Sequence, residues 1–144
     1  MLSLQEISDR LEIQDLLIAY SHAIDLRNWD ELDDVFTPDA VIDYTEMGGP
    51  RGTLDSIKAY LAETLSRFPS YQHLVATTKI VFDGDRAEGR TVCHNPMVLD
   101  DKERVMWCGL WYRDRFVRTP AGWRIADRYE ERCYIHGLPV GKRG

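Results

Sequence analysis

The stretch DLLIAYSHAIDLRNWDEL, residues 15–32, decides how the chain is read. Apolar residues keep helical spacing from Ile7 to Ile24, and Ser3 followed by Glu6 forms a capping box, so a helix is predicted over about residues 4–27. Asn28 with Glu31 repeats the capping pattern and predicts a short second helix across WDELDDVF, ended by Thr37-Pro38. Leu11, Ile18 and Asp25 are seven residues apart and share one face of the first helix. Asp25 is the anomaly on that apolar stripe. A buried carboxylate requires a partner or a proton. The alternative is a frayed helix end, with Asp25 in solvent or paired to Arg27.

Outward from this stretch the pattern changes twice. AVIDYTE (40–46) reads as a strand broken by MGGPRG, and Thr53 caps a third helix, LDSIKAYLAETLSRF, with Pro69 beyond its end. From Tyr71 four long β-branched and aromatic runs follow, joined by the turn sequences DGD, DDK and TPAG. Short connections imply an antiparallel meander. The expected fold class is α+β: N-terminal helices packed in the bend of a curved, mixed or antiparallel sheet, a cone with one open mouth. No linker, repeat or internal boundary interrupts it, so residues 1–144 are read as one domain.

Composition narrows the function classes. The 144 residues carry a net charge of −6, with 44% hydrophobic and 29% charged residues, which disfavours a nucleic-acid or anionic-membrane partner. No apolar run approaches the ~20 residues of a membrane span. The N-terminus MLSLQEISDR lacks the pattern of a secretory signal, and Cys93, Cys108 and Cys133 show no CxxC, so a reduced, cytoplasmic protein is expected. Four scattered histidines without HxxxH or HxH spacing predict no metal, and no nucleotide-binding or nucleophile-elbow motif is present, so cofactor-free acid/base work is expected of any catalysis. Large apolar residues on both faces of the strands predict a homo-oligomer, dimer or trimer.

His73, at the start of YQHLVATT, becomes interesting if a carboxylate fixes its tautomer; alone it reads as structural. Tyr20, a turn and a half before Asp25, and Tyr44, in the first strand, are phenols able to donate to a substrate carbonyl or simply to pack in the core. Trp107 and Trp111 share a face that lines a pocket or fills the core, and His94 is either a second acid/base or a polar lining group. Arg128 alternates with Arg124, Ala126 and Glu130. Pointing inward it would clamp an anion or oxyanion; pointing outward it would join a charge ladder with Glu130, Glu131 and Arg132.

The motifs EIQDLLIAYSHAIDLRNWDELDDVFTPDAVIDY, GGPRGTLDSIKAYL, YQHLVATTKIVFDGDRAEGRTVC and GLWYRDRFVRTPAGWRIADR together resemble the SnoaL-like group of the nuclear transport factor 2 superfamily, over about residues 4–136. The resemblance implies a cone-shaped α+β barrel. Its members include dehydratases, cyclases, isomerases, a dehydrochlorinase and non-catalytic binders. Scytalone dehydratase, bile acid 7α-dehydratase and lindane dehydrochlorinase share an Asp at the end of the first helix and a His after the third, which Asp25 and His73 match. Tyr20 and Tyr44 match tyrosines of the bile acid enzyme, His94 loosely matches a second histidine of scytalone dehydratase, and Arg128 looks like an arginine of the dehydrochlorinase. The dehydrochlorinase's first-helix lysine is replaced by Tyr20, and its first-strand tryptophan is absent from VIDY, which favours water elimination. The implied assignment is Asp25, His73, Tyr44 and Tyr20 as catalytic residues, with His94, Trp107 and Arg128 binding a small hydrophobic or cyclic substrate. A cyclase, an isomerase or a non-catalytic binding or scaffold subunit remains the alternative.

Overall fold

A computed structural model describes residues 1–99 and 104–138. Helix α1 (Leu4–Asp25) starts at the predicted capping box, with Ser3 Oγ accepting from the Glu6 N–H and the Glu6 carboxylate accepting from the Ser3 N–H. The second predicted helix is a short 3-10 turn, Trp29–Asp34. Strand β1 (Phe36–Asp43) begins four residues earlier than AVIDYTE suggested. Thr37-Pro38 therefore lies inside it, where the pairing register slips between Phe36 and Val41 and proline's missing N–H is tolerated. Strand β2 (Arg51–Thr53) leads into helix α2 (Leu54–Leu65), whose Thr53 cap is as expected, and β3 (Ser70–Tyr71) follows. The long strands are β4 (Leu74–Asp83), β5 (Arg86–Val98), β6 (Val105–Thr119) and β7 (Gly122–His136).

The sheet order is β2-β1-β7-β6-β5-β3, with β4 also on β5. The β4–β7 meander is antiparallel as predicted, while β1 runs parallel to β7 and makes the sheet mixed. DGD and TPAG form the turns before β5 and β7; DDK lies outside the described residues. The result is an α+β half-barrel whose concave face holds the helices. The strand alternation decides what faces that bend: Cys108, Leu110, Tyr112, Asp114 and Phe116 of β6 point inward, and Trp107, Arg113 and Arg115 point out.

The helix stripe differs from the one first read. Ile13, Leu16, Leu17, Tyr20, Ala23 and Ile24 face the core, whereas Leu11 is 55% and Ile18 46% exposed. Asp25 thus lies at the margin of the buried face, and that margin opens toward β4. No helix among the described residues is long and apolar enough to cross a membrane.

One buried carboxylate pins the far end of α1. Asp9 accepts from Arg118 at 2.7 and 2.9 Å, from Trp123 Nε1 at 2.9 Å and from Gln5 at 2.9 Å. The Arg118 guanidinium foremost holds its carboxyl well below the usual carboxylate range, against the opposing effect of burial. A carboxylate lowered on folding stabilises in full above its unfolded value, near pH 4, and loses that contribution as pH falls toward the folded value. Asp9→Asn is therefore expected to lower the thermal midpoint at pH 7, with the gap to wild type narrowing between pH 5 and pH 3. A gap constant across that range contradicts this reading.

Candidate functional site

The chain reverses sharply after α1, and the reversal builds the site. Arg27 sits at φ 60°, the left-handed region, and the N–H of Asn28 reaches back to the Ala23 carbonyl at 2.9 Å, closing the helix end. A side chain bigger than glycine is strained there. The Arg27 guanidinium offsets that strain by donating to the carbonyls of Leu65 (2.7 Å) and Phe68 (2.9 Å) at the end of α2 and by covering the Tyr71 ring. Arg27 is thus committed to α2. The pairing with Asp25 that the sequence allowed is not formed.

Asp25, the last residue of α1, turns toward the chain between β3 and β4. There Gln72 and His73 occupy a gap between strands, so the His73 N–H belongs to no β4 ladder. That N–H donates to both Asp25 oxygens, at 3.0 and 3.2 Å. His73 Nδ1 lies 2.7 Å from Asp25 Oδ1. Since a carboxylate only accepts, this contact places the ring proton on Nδ1 and leaves the Nε2 lone pair free. Three hydrogen bonds offset the unfavourable placement of a carboxylate at a helix C-terminus. The His73 side chain is 8% exposed, and Tyr20 and Tyr71 meet its ring edge-on.

His73 opens on a cavity of about 230 Å³. Its walls are largely apolar: Met47, Leu61, Leu65 and Phe68 on one side, Met97, Met106 and Leu110 on the sheet. Besides His73, the polar groups are those of Tyr20, Tyr44, Tyr60, Thr64, Asn95, Cys108 and Glu130. Tyr20 and Tyr44 hydroxyls are 2.6 Å apart. Whichever donates to the other, one O–H remains for a ligand. Burial pushes the Tyr20 phenol up to about 12 and Tyr44 well above its ordinary value, so both stay protonated. Tyr44 lies one residue past β1 rather than within it, packed against Gly49, where an added Cβ would come within 2.8 Å of the Tyr44 Cβ. Burial likewise pushes Cys108 up to about 11, which leaves it a neutral thiol. Among the described residues no three His, Cys, Asp or Glu side chains gather as a metal site would require.

Three expected binding residues lie elsewhere. His94 and Trp107 stack on one another at 5.4 Å on the outer face of the sheet, and His94 Nδ1 pairs with the Tyr134 hydroxyl. The inward residues of those strands are Asn95 and Cys108, one position along. Arg128 points inward but lies beneath the cavity wall. It grips Asp114 through Nε and Nη2, both at 2.8 Å, and is sandwiched between the Tyr20 and Tyr112 rings at 4.1 and 3.8 Å. It therefore braces Tyr20 and touches no cavity space. The alternation Arg124–Ala126–Arg128 is broken by a bulge, where Arg115 faces Asp127 but Phe116 faces Ile125. Glu130 shares the inward face with Arg128 and enters the cavity, so the outward charge ladder, one of the two arrangements the alternation allows, is not formed. Its inward direction follows from that bulge, which has no sequence signal of its own. Asn95 Oδ1 is buried without a partner among the described residues and so offers an acceptor to a ligand.

A helix-capped, curled sheet with one polar corner in an apolar mouth defines a class of small-ligand pocket. The chain belongs to the SnoaL-like domain family, which matches residues 5–129. It is 54% identical over 135 residues to an uncharacterised protein of Mycobacterium tuberculosis, covering 93% of this chain and 92% of that protein. Among solved structures, a candidate aromatic ring hydroxylase of Novosphingobium aromaticivorans superposes with a TM-score of 0.83 at 29% identity, covering 91% of this chain and 94% of that one. A candidate scytalone dehydratase from the same species superposes at 0.82 with 19% identity, covering 93% and 90%, a likeness of fold.

Proposed function

We propose that this protein is a cofactor-free lyase that removes water from a small cyclic compound bearing a hydroxyl β to a carbonyl. The observation that carries this is the 2.7 Å contact of His73 Nδ1 with Asp25 at the wall of an apolar cavity. His73 Nε2 takes the proton from the carbon beside the carbonyl. Charge then develops on the carbonyl oxygen, where the Tyr20–Tyr44 pair presents its spare O–H; a preorganised donor of this kind contributes about 3 kcal/mol to the barrier. The imidazolium so formed is stabilised by the Asp25 carboxylate and by the negative end of α1. A cavity of about 230 Å³ suits one ring rather than an extended ligand. The dehydratase name of one structural relative supports elimination of water as the outcome.

The test is a panel of cyclic β-hydroxy ketones incubated with the protein, with enone absorbance as readout. Enone formation faster with wild type than with His73→Ala is expected for at least one member. A panel in which no member shows that difference overturns the reading.

A further inference from the structure

Glu130 and His73 line the same cavity from separate parts of the fold. His73 stands in the gap just before β4 and Glu130 on β7, three strands along in the order β4-β5-β6-β7. Among the described residues no hydrogen bond or ion pair holds the Glu130 carboxyl. The nearest cation in sequence, Arg128, favours the Glu130 carboxylate by its charge, but less than burial opposes it, and its Nε and Nη2 are held by Asp114. The remaining ionisable groups around it do not supply a counter-charge. Asp114 of β6 and Asp43 of β1 are like charges, and Tyr20 of α1, Tyr44, Tyr60 of α2 and Cys108 of β6 are neutral. On β5 the inward groups are Asn95 and the neutral thiol of Cys93, while His94 is outside.

We propose that Glu130 is the general acid of this pocket, delivering its carboxylic proton to the hydroxyl that departs. Burial above all pushes its carboxyl up to about 8, so it holds a proton at neutral pH. The inference rests on the elimination reading given above and supplies a second acid, a role that was one of two readings for His94. The step balances. His73 Nε2 removes a proton, and that C–H pair becomes the new carbon–carbon double bond. The C–O bond at the β carbon breaks with its pair on oxygen, and the Glu130 O–H proton converts the leaving hydroxide to water. An imidazolium and a carboxylate remain, and a proton passed from His73 to Glu130 through the released water restores both.

The decisive comparison uses 3-hydroxycyclohexanone and 3-acetoxycyclohexanone, which yield the same enone. Acetate leaves without a proton, so a general acid matters for the first and hardly for the second. Glu130→Gln is isosteric and uncharged, and so keeps the form that the wild-type group has at pH 7. It is expected to lose about 100-fold on the hydroxy compound and about thirtyfold less on the acetoxy compound, whereas His73→Ala loses equally on both. Equal losses by Glu130→Gln on both overturn the proposal. Should wild type act on neither compound, the elimination reading fails for them, and the proton on Glu130 is decided separately. Protein labelled with carbon-13 at the glutamate carboxyls, with Glu130→Gln for assignment, is expected to show a titration midpoint near 8. A midpoint in the ordinary carboxylate range overturns the proposal whatever the substrate.

Discussion

Asp25→Asn is expected to lower turnover of a responsive β-hydroxy ketone by about 10²–10⁴-fold with little change in thermal midpoint, and His73→Ala by at least about 10³-fold. The imidazole tautomer decides the effect. Asp25 can only accept from the imidazole, so the proton stays on Nδ1 and Nε2 is the base. An asparagine amide can turn its NH₂ toward Nδ1, drawing the ring proton to Nε2 and making the would-be base a donor. The amide oxygen still accepts from the His73 N–H, which now makes bonds of 3.0 and 3.2 Å to the carboxylate, so the local backbone keeps its anchor. His73→Ala removes the base itself but keeps that backbone bond. Initial rates on the same compound, with melting curves for each variant, check both results. Either variant running within threefold of wild type contradicts the assigned roles.

The pair was legible chiefly through the resemblance, because neither member is decisive alone. Asp25 stands in line with Leu11 and Ile18, a stripe that the fold leaves exposed, and His73 alone reads as structural, so it was the match of both positions to the SnoaL-like pattern that joined them. The fold was legible for a more local reason: caps at Ser3 and Thr53 and two of the turn sequences are short-range signals that the structure uses where they stand. What the sequence hid was direction within the long strands. Strict alternation leaves open which face is concave, and that put His94 and Trp107 in the pocket when Asn95 and Cys108 are there. The bulge near Ala126 then resets the alternation of β7 partway along, so which face Arg128 and Glu130 share is decided only once the β6 register is known. The short helix does end ahead of Thr37-Pro38, but β1 already runs through that dipeptide, because a slipped register tolerates proline's missing N–H.

Arg128 carries the largest expected effect on stability. Its side chain and that of Asp114 are both 0% exposed, joined by two bonds of 2.8 Å. Removing one member of such a pair leaves the other charge buried without compensation, which costs about 3–5 kcal/mol. Arg128→Met fills much of the same volume, so the loss is chiefly that of Asp114's counter-ion and of the cation between the Tyr20 and Tyr112 rings. The thermal midpoint should fall by about 10 °C or more. Replacing both groups by apolar residues, Arg128→Met with Asp114→Leu, removes the orphaned charge and is expected to recover most of that loss, because a buried ion pair is close to break-even against apolar packing. The double variant nevertheless leaves Tyr20 without its brace, so the fold returns while the phenol that partners Tyr44 at 2.6 Å is less firmly placed. Denaturant unfolding of the two single variants and the double closes the cycle. A coupling energy below about 1 kcal/mol would mean that the ring sandwich, rather than the ion pair, holds Arg128 in place.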